Sequence, residues 1–451
     1  MNFNQLLTAL SFFLLISNFA IAQEQSDTLY LNVEQTIILA VQNNPDLRRV
    51  KMASYLLEQQ IKGAKSSGLP QVNGSAGFTD NFSIAQQLLP GEVFGQTGQI
   101  PVQFGVRYGL NAGVEVSQLI YSREFKTNLK KLDATKEVIT LQTLSTMEDL
   151  VYNVAQLYIQ YQTTVEQEKL LDANIERINK LIVTSNAQYQ NGIIKKLDVD
   201  QIKVNRTNLI TEKSNLSIAL EQQLNYLRFY LDLEQETQIV LTEKMDNTKR
   251  YPLSEELLLQ ENITFQILQN QLKLTKMDDD VVKAGYYPTL SAFAQYNYTG
   301  QANKFNLKSD NYSGFGSGLW GINLSIPLFD GFQKKHQVAE NQIKYQQELL
   351  DLETLKNATE LDYYNAITHI RQNEKLIAMQ VENMELATTV YEITKLSYQE
   401  GVAPLTELLN AETGLKEAQS QYLTALINFK LAELDHIKAS GQLAQLLKSN
   451  D

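Results

Sequence analysis

The sequence predicts an α+β chain in which long antiparallel helices carry four β-strands, arranged as two tandem halves. Three observations lead there. A strand-like period passes directly into a helix-like one within residues 106–138, three very long stretches contain neither Gly nor Pro, and the second half repeats the order of the first.

From Val106 through Tyr108, Leu110, Ala112 and Val114 to Val116 every second side chain is apolar, with Arg107, Asn111, Glu115 and Ser117 between them. That is the period of a half-buried strand. By about Phe125 the composition turns to Lys, Leu, Ala and Glu, and no turn residue separates the two regimes. Similar reasoning places strands at about 71–82, 104–118, 289–299 and 319–329. Leu290, Ala292, Ala294, Tyr296 and Tyr298 share one face of the third, and Trp320, Ile322, Leu324 and Ile326 share one face of the fourth. Eleven residues at about 3.3 Å each, tilted near 45°, reach roughly 25 Å, the height of the apolar band of an outer-membrane barrel. A soluble sheet with one buried face has the same pattern.

The stretches Ser122–Asn191, Ile193–Tyr251 and Phe332–Glu400 lack Gly and Pro. A helix of about 65 residues would extend nearly 100 Å. Met147, Val151, Val154, Tyr158, Tyr161 and Val165 recur at alternating spacings of four and three, a coiled-coil seam with Tyr in place of Leu. Helices joined at Gly192 and at Gly401 read as antiparallel hairpins.

Repetition ties these pieces together. YQNGIIKKLDV matches YQEGVAPLTEL with Gly192 and Gly401 209 positions apart; Ser117 and Ser325 are 208 apart and Pro70 and Pro288 218 apart. An insertion of about ten residues therefore lies between residues 70 and 117. The expected division is a secretory signal peptide at 1–22, a first repeat at 23–250 and a second at 251–451, each with a helix, two strands and a long hairpin. The leader reading rests on SFFLLI and the closing Ala20-Ile21-Ala22; an uncleaved anchor is its rival.

Composition narrows the function classes. A net charge of −12 without a basic block argues against nucleic acid as partner. The chain has no cysteine, so disulfides, thiol nucleophiles and thiolate metal sites are excluded. His336, His369 and His436 have no metal-binding spacing, and Asp278-Asp279-Asp280 lacks the Gly and terminal Glu of a calcium loop. Neither a P-loop, a Rossmann fingerprint nor a nucleophile elbow occurs, and no cofactor is expected. Beyond residue 22 no apolar run approaches the length of a spanning helix, so entry into a membrane requires a β-barrel. Four strands cannot close one, because the smallest use about eight. Copies must therefore pool their strands, and a strand that continues without a loop into a helix keeps one wall running out of the membrane. Pro70, Pro288 and Pro327 mark the strand–helix junctions, where a proline removes a donor that neither ladder could satisfy.

With LNVEQTIILAVQNNPDL at 31–47, the strand entries ending in Pro70 and Pro288, the two strand-to-helix runs and the paired motifs YQNGIIKKLDV and YQEGVAPLTELLNAETGL, the chain resembles the outer membrane efflux protein family, the TolC-like channels. The resemblance covers essentially the whole mature chain. It implies a homotrimer in outer-membrane lipid, with a twelve-stranded barrel continuous with a helical tunnel in the periplasm. It also implies a non-catalytic export role with an inner-membrane transporter and a periplasmic adaptor. Such channels are constricted at the periplasmic end, where the hairpins turn. The matching acids are Asp198 and Glu407; Tyr398 matches a gate-proximal tyrosine, and Asn410 stands where the family often has a second acid. Ala403 replaces a common basic residue, while Lys195 and Lys196 bring positive charge to the first tip. Asp198 and Glu407 are thus candidates for a pore ring that favours cations; equally, an acid in a first helical turn suits the helix dipole. A secreted coiled-coil stalk or adhesin is the alternative, although it leaves four barrel-length strands unexplained. A passive porin-like channel would need many more strands and little helix.

Overall fold

The computed structural model describes residues 28–95, 97–245, 256–305 and 313–443, so the leader reading at 1–22 falls outside the described residues. The elements in chain order are β1 (Leu29–Leu31), α1 (Val33–Asn43), α2 (Pro45–Ser66), β2 (Gln71–Asp80), β3 (Gln86–Pro90), β4 (Gln99–Gln103), β5 (Tyr108–Tyr121), α3 (Arg123–Gln190), α4 (Lys196–Leu231) and β6 (Ile239–Leu241). Then follow α5 (Ile263–Ala284), β7 (Thr289–Ala302), β8 (Ser313–Ser325), α6 (Gln333–Gln399) and α7 (Leu405–Ala439). The chain forms two compact units, each drawing on both halves of the sequence.

The first unit comprises residues up to 48, 146–262 and 358 onward. Its main core gathers Leu31, Ile37, Ala40, Val151, Val154, Leu227, Leu231, Ile239, Leu434 and Ile437. Three polar residues of the 31–47 motif, Asn32, Gln35 and Asn44, act as caps. Asn32 and Gln35 form a reciprocal capping box on α1, and the Asn44 side chain accepts the Leu47 N–H at 3.1 Å just before Pro45, which starts α2. Tyr158, on the predicted seam, is 1 % exposed; its hydroxyl donates to the Leu31 carbonyl and accepts the Glu243 N–H, both at 3.3 Å. The three-residue strands β1 and β6 pair in parallel, a pairing too short to leave a period in the sequence.

The second unit, residues 49–145 and 263–357, contains a four-stranded antiparallel sheet in the order β2-β5-β7-β8. Registers such as Val72↔Val116, Val114↔Tyr296 and Ala294↔Trp320 place Val72, Ala76, Phe78, Leu110, Ala112, Val114, Val116, Leu290, Tyr296, Tyr298, Trp320, Ile322 and Leu324 on one face. The opposite face is mainly polar, carrying Gln71, Asn73, Ser75, Thr79, Asn111, Glu115, Ser117, Gln295, Asn297, Thr299, Ser317 and Asn323, with Leu119, Phe293, Phe315 and Leu319 among them. Among the described residues nothing covers the apolar face, and Trp320 is 80 % exposed. The fourth strand begins at Ser313, before the expected 319, because Gly314, Gly316 and Gly318 hide its period. A Cβ on Gly316 would stand 2.3 Å from the Tyr296 hydroxyl and one on Gly314 1.9 Å from that of Tyr298, so β7 rings occupy the space those glycines leave. The ten-residue insertion corresponds to the loop after β2, which folds back as the β3–β4 hairpin.

Ser122 alone separates β5 from α3. Its hydroxyl oxygen accepts the Phe125 N–H at 3.1 Å, so one residue ends the ladder and caps the helix. The second junction differs from expectation, because residues 326–332, including Pro327, intervene between β8 and α6. Gly331 and Phe332 there have φ of 66° and 68°, and the Asp330 carboxylate accepts the Lys334 N–H at 3.2 Å. Pro70 and Pro288 stand immediately before β2 and β7.

Candidate functional site at the hairpin tips

The two helix hairpins of the first unit turn by the same device. Gly192 and Gly401 each have φ of 73°, in the left-handed region. The Ile193 N–H reaches the Gln188 carbonyl at 2.9 Å and the Gly192 N–H that of Tyr189 at 2.9 Å; Val402 to Ser397 at 2.9 Å and Gly401 to Tyr398 at 3.1 Å reproduce the pair. These are Schellman motifs, which satisfy the last carbonyls of α3 and α6 and are least strained with a residue that has no Cβ.

The returning helices begin differently. Asp198 accepts the Lys195 N–H at 3.0 Å, closing the first turn of α4. At the second tip the equivalent position is Pro404, which has no N–H, and Glu407 is exposed with no side-chain hydrogen bond among the described residues. Lys195, Lys196 and Asn410 are exposed too. Tyr398 is elsewhere: it is 6 % exposed, inside a tip core with Leu171, Ile178, Ile202, Leu209, Tyr391, Leu405, Leu408 and Leu415, its hydroxyl 3.4 Å from that of Ser185. The structure thus brings Tyr398, Leu405 and Leu408 together and leaves Glu407 and Asn410 in solvent.

One polar group of this core was not anticipated. Glu412 is 5 % exposed, and its Oε1 has no hydrogen-bond partner among the described residues. Burial pushes its carboxyl up to about 7, opposed by the nearby Arg177 guanidinium. Arg177 in turn lies over the Tyr391 ring at 5.4 Å, and burial followed by Glu412 pushes that phenol up to about 12. A signal was present in the sequence, since Leu405, Leu408, Glu412 and Leu415 recur at spacings of three, four and three, with an acid on the apolar stripe. The Asp triplet, by contrast, lies on a helix surface, where Asp278 pairs with Lys131 and Asp279 with Lys283 at 2.5 Å. Among the described residues no group of His, Asp or Glu is arranged to hold a metal.

The sheet and the repeated tips find their counterpart in known proteins. The profile of the outer membrane efflux protein family matches residues 36–231 and 256–442. The chain belongs to that family. It is 20 % identical to the outer membrane protein TolC of Vibrio cholerae, over 92 % of this chain and 91 % of the relative, and 21 % identical to TolC of Escherichia coli, over 91 % and 82 %. Among solved structures, CusC superposes with a TM-score of 0.73 at 16 % identity, covering 94 % of this chain and 95 % of the other. The CmeC outer membrane channel of Campylobacter jejuni gives 0.72 at 16 %, covering 94 % and 90 %. This outer membrane efflux protein therefore resides in the outer membrane and acts as a channel for export. Its membership overturns the stalk or adhesin alternative.

Proposed function

We propose that three copies of this chain join their sheets edge to edge into a twelve-stranded barrel. That barrel forms the outer-membrane section of the exit duct of a tripartite efflux pump or type I secretion system. A substrate would pass from an inner-membrane transporter and a periplasmic adaptor into a tunnel built by the long helices, with the energy supplied by the transporter. The duct itself catalyses nothing. The repeats 23–250 and 251–451 would supply two strands each.

The observation that carries this reading is the sheet: one face apolar, the other mainly polar, and both outer edges without a partner strand among the described residues. In hydrocarbon such edges cost several kcal/mol per unpaired group, and closure removes them. Aromatic residues sit at both ends of the sheet, as at the two interfaces of a membrane barrel. Phe78, Tyr108 and Phe305 cluster at the loop end with centroids 5.5–6.0 Å apart, and Tyr121, Tyr286 and Tyr287 lie at the helix end, Tyr287 beneath Arg123 at 3.9 Å. Helix faces left open in the single chain also suit a second copy. Met379, Leu386, Val390 and Ile393 on α6 and Leu197, Val204 and Ile218 on α4 are all more than half exposed and follow heptad-like spacing.

Asp198 and Glu407 would ring the constricted tunnel end, with Lys195, Lys196 and Asn410 beside them and Tyr398 bracing the bundle from within. Outer-membrane extracts run without boiling should contain a heat-modifiable trimer that conducts in planar bilayers. A monomer that fractionates as soluble material and never inserts into lipid would refute the assembly.

A further inference from the structure

Within the four strands of the sheet, only Asp80 and Glu115 are charged. Asp80 ends β2 and pairs with Arg107 at 3.0 Å. Glu115 stands near the middle of β5, exposed, and makes no hydrogen bond or ion pair with any described residue. Its cross-strand neighbours are Asn73 on β2 and Gln295 on β7, and along its own strand the same face continues through Gly113 and Ser117. No cation is in reach on that face. A guard against edge-to-edge aggregation is not the explanation, because such charges sit on edge strands and β5 is interior to the sheet. Nor can the residue face lipid: it shares the Asn–Gln–Ser side, with Val114 and Val116 on the other, and a carboxylate at mid-height in hydrocarbon would be costly.

From this placement we infer that Glu115 forms a ring of three carboxylates on the inner wall of the barrel and makes that section of the duct prefer cationic over anionic solutes. The inference rests on the barrel reading above and adds to it a second selecting position, in the membrane section rather than at the hairpin tips. Its chemistry is that of a charged ring in an otherwise uncharged lumen. The wall around it offers hydroxyls, amides and the apolar side chains of Phe293 and Leu319, none of which distinguishes the sign of a passing charge, so Glu115 alone does so at this level. The effect is local, because salt at 0.1 M screens beyond about 10 Å.

The absence of cysteine from the chain gives a direct test. A single thiol is introduced by Gln295→Cys, directly opposite Glu115, and the assembled protein is reconstituted into liposomes. Its rates of modification by a cationic and an anionic methanethiosulfonate reagent are then compared, with and without Glu115→Gln. A unit charge about 5 Å away in water alters each rate about fourfold in opposite senses, and screening at 0.1 M leaves about a fivefold change in the ratio. Any change in thiolate fraction cancels in that ratio. The expected results are a preference for the cationic reagent that falls about fivefold in Glu115→Gln, and its retention in Glu115→Asp. A thiol at 295 that reacts readily but with the same ratio in Glu115→Gln overturns the inference and leaves the duct intact. A thiol at 295 that is unreactive while one introduced by Val114→Cys reacts would place the polar face away from water, and the duct reading would fall with it.

Discussion

Glu412 couples the stability of the hairpin tips to pH. Its carboxyl has an ordinary value of 4.5 and is pushed up to about 7 in the folded tip core by burial, with Arg177 opposing. Because the folded protein holds this proton more tightly than the unfolded chain, the associated stability is fully present below pH 4.5. It is lost as the pH rises through about 7. The rise from 4.5 to about 7 corresponds to at most about 3–4 kcal/mol, or roughly three hundredfold in a local opening equilibrium. Glu412→Gln keeps the shape and removes the charge, so the core should keep its low-pH stability at pH 8. Hydrogen exchange followed by mass spectrometry over residues 171–209 and 391–415, corrected for intrinsic exchange rates, reads this opening directly. Wild-type protection factors should fall between pH 4.5 and 7.5, and those of Glu412→Gln should stay flat. Equal slopes in the two proteins would refute the argument, as would a wild-type tip whose protection does not depend on pH.

Other consequences can be measured on the same assembled protein. Tyr298→Arg places a cation on the apolar face and uncovers Gly314; at about 2–4 kcal/mol near the bilayer midplane it should sharply reduce the yield of membrane-assembled trimer, scored on unboiled gels. Gly401→Ala forces a Cβ into φ of 73° and should destabilise the second tip by about 1–2 kcal/mol, seen as faster local exchange around residues 397–405; no change there would contradict the Schellman assignment. Asp198→Ala combined with Glu407→Ala should lower cation preference in planar bilayers. Asp198→Asn, which keeps an acceptor for the Lys195 N–H, separates a pore charge from a helix cap, since only the former requires the negative charge.

What the sequence discloses depends on whether a physical requirement leaves a period. The apolar face from Leu290 to Tyr298 and the hairpin glycines at 192 and 401 are legible because alternation and left-handed backbone each demand particular residue types. The start of β8 is not, because glycines at 314, 316 and 318 carry no hydropathy signal and make sense only beneath the Tyr296 and Tyr298 rings. The β1–β6 pair is invisible for another reason, joining three residues at one end of the chain to three about 210 positions away. At the tips, Gly192 and Gly401 announce the turns, yet Tyr398 proves to be a core residue. Residues near a turn can face solvent or core with the same local pattern, and only the packing of the second hairpin decides between them.

The duplicated strand pair also explains why this sheet can be completed by copies of itself. Strands β2 and β7 run one way and β5 and β8 the other, so the two free edges of the sheet are antiparallel to each other. Laying β8 of one copy beside β2 of the next therefore continues the alternation without a break. A unit of three strands would bring like-directed strands together at every seam. The same alternation places both strand entries, from α2 and α5, and both exits, into α3 and α6, at one end of the sheet, with the loops at the other. The four helices joined to the sheet then leave from the same rim, as the proposed duct would require. A single pair of strands per chain would also alternate correctly, but the proposed twelve-stranded barrel would then need six copies, so a second pair in each chain would halve the number of subunits that must meet before the last edge is closed.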